Sequence, residues 1–127
     1  MEQETTRTFK NLNVWQAARK LRQDIAALVK LFPPIEKLRL ADQMVRASRS
    51  VTANIAEGYG RYHFQENIQF CRQARGSLFE LLDHLSVCED EGYISQGQLD
   101  DFRAHAIQTI KLLNGYIGYL KSQKEES

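Results

Sequence analysis

Between residues 39 and 61, the side chains Arg39, Gln43, Arg46, Ser50, Asn54, Glu57 and Arg61 recur at helical spacing. On a wheel of about 100° per residue they fall within about 80° of one another, forming a continuous polar stripe. It lies about a quarter turn from the centre of the apolar face, at the edge of a core, where charges need partners. Two kinds of chemistry fit such a stripe. Its members can satisfy each other, Glu57 reaching Arg61 at i+4 and Asn54 at i−3, with the Asn54 amide on nearby backbone or a third helix. Alternatively Arg39, Arg46 and Arg61 face a groove that binds phosphates, with Tyr59, Tyr62 and His63 available for stacking.

The stripe ends in "NIAEGYGR", where Gly58 and Gly60 each cost a helix interior about 1 kcal/mol relative to Ala. The pair is expected to mark a helix end or bend, at which Gly takes positive φ and the next helix approaches closely. It is not a nucleotide loop, because neither GxGxxG after a strand nor GK[ST] is present. Gly76 raises the same question in the next helix, and a neighbouring subunit packing there is one answer.

Catalytic patterns find little support. A di-iron bundle needs Glu-x-x-His on two helices, but Glu80 is followed at i+3 by Asp83. His63, His84 and His105 have no ligand spacing and are expected at a surface or interface. Ser77 has no base near it in sequence. Cys71 and Cys88, roughly 25 Å apart on one helix at about 1.5 Å per residue, are too distant for a disulfide and are expected to be core thiols. The expectation is therefore a protein that is not an enzyme, with no cofactor and no metal.

These residues must be positioned by helices. Four segments carry helical period and none carries strand alternation. In the first, about 12–32, Val14, Ala18, Leu21, Ile25, Leu28 and Phe32 make one seam with Trp15 beside it, and Pro33 and Pro34 end it. The second, about 37–58, has Leu40, Met44, Ala47, Val51 and Ile55. The third, about 64–91, runs from Phe64 and Ile68 through Leu78 and Leu85 to Cys88 with an apolar face wide enough to hint at a second partner surface. Gly92 caps it, Ser95 with Gln98 makes a capping box, and the fourth helix, about 96–121, carries Leu99, Phe102, Ala106, Ile110, Leu113, Ile117 and Leu120. Residues 1–8 and 122–127 are expected to be flexible tails of a single domain. Short connections predict an all-α, antiparallel up-down-up-down four-helix bundle.

The chain has 127 residues and a net charge of +1, so no overall basic excess announces nucleic acid. The average hides an asymmetry: residues 1–75 hold 13 Lys/Arg against 7 Asp/Glu, and residues 76–127 hold 4 against 9. No apolar run approaches the roughly 18 residues of a membrane span, and no signal-peptide pattern is evident, so a soluble, cytoplasmic protein without membrane contact is expected.

The blocks "FKNLNVWQAARKL", "FPPIEKLRLADQMVRASRSVTANIAEGYGR" and "FCRQARGSLFELLDHLSVCEDEGYI" resemble the successive signature blocks of the 23S rRNA intervening-sequence protein family, over about residues 9–121. The resemblance implies a homopentamer, a ring of bundles around a central channel. It extends to the accessory variability protein of diversity-generating retroelements, which implies nucleic-acid binding through a basic surface and a reverse transcriptase as partner. Candidate phosphate contacts are Arg39, Arg46, Arg49, Arg61, Arg72 and Arg75. Trp15, Ser50, Asn54, Glu57, Gly58, Gly60, Gly76, Ser77 and Glu80 are signature residues expected to shape the fold or the subunit interface. The expected function is non-enzymatic, oligomeric binding or chaperoning of RNA or DNA; the alternative is a protein–protein scaffold that binds no nucleic acid.

Overall fold

A computed structural model describes residues 7–126, and among these residues there are four α-helices and no strand: α1 (Asn13–Val29), α2 (Leu40–Tyr59), α3 (Phe64–Glu91) and α4 (Gln96–Glu126). The expected tails lie partly outside this range. Within it, Thr8 caps a 3₁₀ turn at Phe9–Asn11, and residues 122–126 continue α4 where a tail was expected.

The apolar seams read from the sequence meet in one core. Leu21, Ile25, Met44, Ile55, Leu78, Leu85 and Leu113 are fully buried or nearly so, each contributing about 1.5–3 kcal/mol of burial. α1 packs on α2 and α4, and α3 packs on α2 and α4, so α1 lies diagonal to α3 and α2 to α4. Cross-helix pairs fix the registers: Met44 with Cys88 and Ser50 with Ser77 between α2 and α3, and Asn67 with Tyr116 and Glu89 with Arg103 between α3 and α4. The broad apolar face of α3 is accounted for inside the chain, because α3 touches two neighbours. Phe64, read as part of that face, is exposed at the helix start.

The connections differ from the sequence reading in physical detail. α1 ends at Val29 because Leu31 and Phe32 close tight turns onto Leu28 and Val29, yet Phe32 stays buried. α2 begins at Leu40 rather than near 37, since Pro34–Glu36 forms a 3₁₀ turn. Glu36 ties that turn down: one carboxylate oxygen accepts from the Leu40 amide at 3.4 Å and the other from the Tyr93 hydroxyl at 2.8 Å, a bond that helps push the Tyr93 phenol up to about 12. Gly92 ends α3 at φ 71°, a left-handed conformation that glycine adopts without strain. The Ser95 hydroxyl accepts from the Gln98 amide and the Gln98 side chain from the Ser95 amide, each at 3.2 Å, completing the capping box before α4.

Candidate nucleic-acid interface

The C-terminal half of the polar stripe, from Ser50 to Arg61, lies along α3 and is engaged in bonds there and within α2 itself. The Asn54 amide donates to the Ser50 carbonyl at 2.9 Å and to the Ser50 hydroxyl at 3.0 Å, and the Ser77 hydroxyl donates to Ser50 at 2.9 Å. Glu57 and Arg61 pair at 3.0 Å, as their i+4 spacing predicts; Arg61 also approaches Glu66 at 3.9 Å and lies 4.9 Å over the Phe70 ring. Gly58 is buried inside α2, where a Cβ would stand 2.6 Å from Asn67 Oδ1, 3.0 Å from Phe70 Cβ and 3.1 Å from the Asn67 carbonyl. Close helix approach is therefore what this glycine provides. The positive φ expected of the pair is absent from both, since Gly60 caps the helix at φ −77° and Gly92 alone among the described residues has positive φ.

On its other flank, toward α1, α2 carries free charge. Arg22 of α1 donates to the Thr52 hydroxyl at 2.9 Å, and Thr52 donates to the Arg49 carbonyl at 3.2 Å. Arg22 and Arg49 thereby border one open cleft of about 300 Å³, together with Phe9, Trp15, Ala53 and Ala56. Trp15 is its buried floor: Phe9 meets it edge-on at 5.2 Å and the Arg19 guanidinium lies 5.7 Å from its ring. Arg49 has no ion-pair partner among the described residues, while Arg46, on the outward face, pairs with Asp42 at 2.9 Å. Residues 13–59 hold eight Lys/Arg against four Asp/Glu, so this side of the bundle is cationic. Arg22 and Arg49 both line this cleft, and the planar fork of a guanidinium matches phosphate oxygens.

The six arginines named from the sequence do not form one patch within a chain. Arg39 precedes α2 and is exposed; Arg46 and Arg49 lie along α2; Arg61 is held between Glu57, Glu66 and Phe70. Arg75 donates to Asn114 of α4 at 2.7 Å, and Arg72, one turn earlier, is exposed on the same side of α3. Arg19 and Arg22 were missed. Their positions beside the α1 seam are legible in the sequence, but the register that sets Arg22 next to Arg49 is not. Of the aromatic residues, Tyr62 is 93% exposed and edge-on to His63 at 5.1 Å, whereas Tyr59 is half-buried.

The remaining singled-out residues have structural surroundings. Glu80 accepts from His84 at 3.0 Å. His84 corrects the expectation of a surface histidine, because its position beside Leu81 and Leu85 buries it. His105 bonds the Ala17 carbonyl at 3.1 Å. Gly76 has open space where a side chain would stand. Cys71 and Cys88 are buried free thiols, and loss of hydration pushes both up to about 11. Among the described residues, no three His, Cys, Asp or Glu side chains form a set that could hold a metal ion, and no helix is long and apolar enough to cross a membrane.

Comparison with known proteins places this geometry. The fold is similar to that in the crystal structure, at 1.70 Å resolution, of a protein with unknown function from the S23 ribosomal protein family of Bacteroides thetaiotaomicron: the TM-score is 0.77 at 22% identity, over 83% of this chain and 95% of that one. No curated protein matches the chain. The sequence model described as 23S rRNA-intervening sequence protein matches residues 10–115, which hold the Trp15 seam, the "NIAEGYGR" segment and most of α4. The chain therefore belongs to the 23S rRNA-intervening sequence protein family.

Proposed function

We propose that the protein is a non-enzymatic, oligomeric nucleic-acid-binding or chaperoning protein of the cytoplasm, and that RNA phosphates bind along the α1/α2 side of each bundle. The observation that carries this reading is that Arg22 and Arg49 line one cleft across the seam, Arg22 bonded to the Thr52 hydroxyl and Thr52 to the Arg49 carbonyl, with Phe9 and Trp15 beside them. Arg19 extends the charge from its place over Trp15, Arg46 is exposed but paired with Asp42, and Arg39 and Tyr62 are exposed further out. The family name, which refers to an insertion in ribosomal RNA, supports RNA over DNA. The cross-helix pairs run in opposite order along successive helices, which supports an antiparallel up-down-up-down bundle. In a ring-like homo-oligomer, a pentamer by the family resemblance, several copies of one cationic face would act on a single polyanion although each chain is nearly neutral.

A titration of labelled structured RNA at several salt concentrations tests this, with duplex DNA beside it. The expected result is a log–log decline of affinity with salt, with a slope set by the phosphates neutralised. No binding at low salt would overturn it. The second reading, a scaffold for a reverse transcriptase or another protein with no nucleic acid bound, draws on the exposed Leu31, Ile35 and Leu38. Under that reading the oligomer forms and RNA affinity is absent at every salt concentration.

A further inference from the structure

The connection between α1 and α2 displays Leu31, Ile35 and Leu38 at 77%, 63% and 84% exposure. Large aliphatic side chains grouped in this way mark an interaction surface. Beside them opens a groove of about 490 Å³, floored by Val29, Phe32, Pro33, Ala41 and Val45 and rimmed by Lys30, Lys37 and Asp42. Asp42 is occupied by Arg46, whereas Lys30 and Lys37 have no ion-pair partner among the described residues. The groove is thus apolar with a cationic rim, and it lies near the opposite end of α1 from the Arg22–Arg49 cleft.

On the other side of the bundle, α3 and α4 offer a surface of opposite character. Phe79 and Ile107 are exposed at 56% and 45%. Phe79 stands one turn past Arg75 on α3 and Ile107 one turn past Arg103 on α4, so both lie between the Arg75–Asn114 and Glu89–Arg103 bonds that join the two helices. Asp83 is exposed beside Phe79, and so is Glu80, one oxygen of which accepts from His84, in the run from Gly76 to Phe102 that contains no Lys or Arg. Lys111, a turn beyond Ile107, borders the far edge. Gly76, one turn before Phe79, is exposed with open space around it, as are Gly97, Gly115 and Gly118 of α4, so a bulky side chain there would meet nothing in its own chain.

We propose that these two surfaces meet between copies of this chain: Phe79 of one copy enters the groove of the next, Lys30 and Lys37 face Asp83 and Glu80, and the Leu31–Leu38 tip closes over Gly76. This rests on the oligomeric part of the reading above and adds which surfaces form the contact. Apolar character and charge both complement. Because the α1/α2 and α3/α4 sides lie across the bundle from each other, the contact is heterologous and repeats head to tail, the kind that closes into a ring when the rotation permits. The Arg22–Arg49 cleft stays outside it.

Sedimentation of the full chain tests the contact. Gly76→Trp, Phe79→Glu and Leu38→Glu all change exposed positions, so helical circular dichroism should hold while self-association weakens roughly 30-fold or more. A Lys30→Glu/Lys37→Glu chain and a Glu80→Lys/Asp83→Lys chain should each fail to self-associate alone and should bind one another when mixed, without closing an odd-numbered ring. A wild-type oligomer unmoved by the three single variants overturns this contact and leaves the oligomeric reading standing. A wild-type chain that sediments as a monomer overturns both and assigns the groove to a different partner.

Discussion

Toward α3, helix α2 presents Ser50, held by Asn54 and bonded to Ser77, and Gly58, packed against Asn67 and Phe70, with little free charge; toward α1 it presents Thr52 and Arg49, with Arg22 beside them around an open cleft. One flank closes the fold and the other exposes cations. The difference teaches that a polar stripe on a helix is not a binding site by virtue of being polar. Half of what made 39–61 look chemical is spent on bringing α2 and α3 together, and the charge left available comes from the flank next to it.

Gly58→Ala should break the closed flank most severely. The added carbon must displace Phe70 and the Asn67 backbone, and with them the Asn67–Tyr116 bond of 3.1 Å. Overpacking of this kind costs about 3 kcal/mol, enough to lower the urea midpoint visibly. An unchanged midpoint would mean that α3 shifts freely and that the seam is not tight.

The open flank should respond in binding rather than in stability. Arg22→Glu with Arg49→Glu is expected to weaken structured-RNA affinity about 30-fold, about 2 kcal/mol, and to flatten the salt dependence. Arg61→Gln, changing a cation already engaged by Glu57 and Phe70, should alter affinity far less. Equal losses from both variants would erase the distinction between the flanks.

How far the sequence reached follows the same division. The 3–4 spacing of apolar residues is a property of one helix at a time, so Val14 to Phe32, Leu40 to Ile55 and Leu99 to Leu120 could be placed in the core. The i+4 pairing of Glu57 with Arg61 is local too. What escaped depends on two helices at once: Ser77 on Ser50, Asn67 against Gly58, and Arg22 beside Arg49. Pro33 and Pro34 announced a break after α1, but the 3₁₀ turn held by Glu36 and Tyr93 delayed the start of α2 by an amount that periodicity does not record.

The dryness of the closed flank can be titrated. Cys71 lies 3.5 Å from Asn67 Oδ1 and Cys88 3.7 Å from the Met44 sulfur, and burial raises both thiols from 9.0 to about 11. A raised folded value means that the stabilisation is complete below the unfolded pKa and disappears as pH climbs from about 9 toward 11. Going from about pH 7 to about pH 9.5 should remove roughly 1.5 kcal/mol through the two thiols together. Denaturant melts of Cys71→Ala/Cys88→Ala should show a correspondingly flatter decline over that window. An identical decline would show that water reaches these thiols and that the seam is not dry.

Gly60→Ala makes the smallest and most discriminating change. Gly60 stands two residues from Gly58 in the same signature, yet its φ of −77° and ψ of −5° suit any residue. A Cβ there would meet only the Glu57 and Ala56 carbonyls, at 3.6 and 3.7 Å, which is ordinary contact. Restricting the unfolded chain should therefore make Gly60→Ala neutral or stabilising by about 0.5 kcal/mol, opposite in sign to Gly58→Ala. If Gly60→Ala lost as much stability as Gly58→Ala, the turn between α2 and α3, rather than the contact between the helices, would be what requires glycine. The close approach at Asn67 would then be a consequence of that turn and not the reason for the sequence.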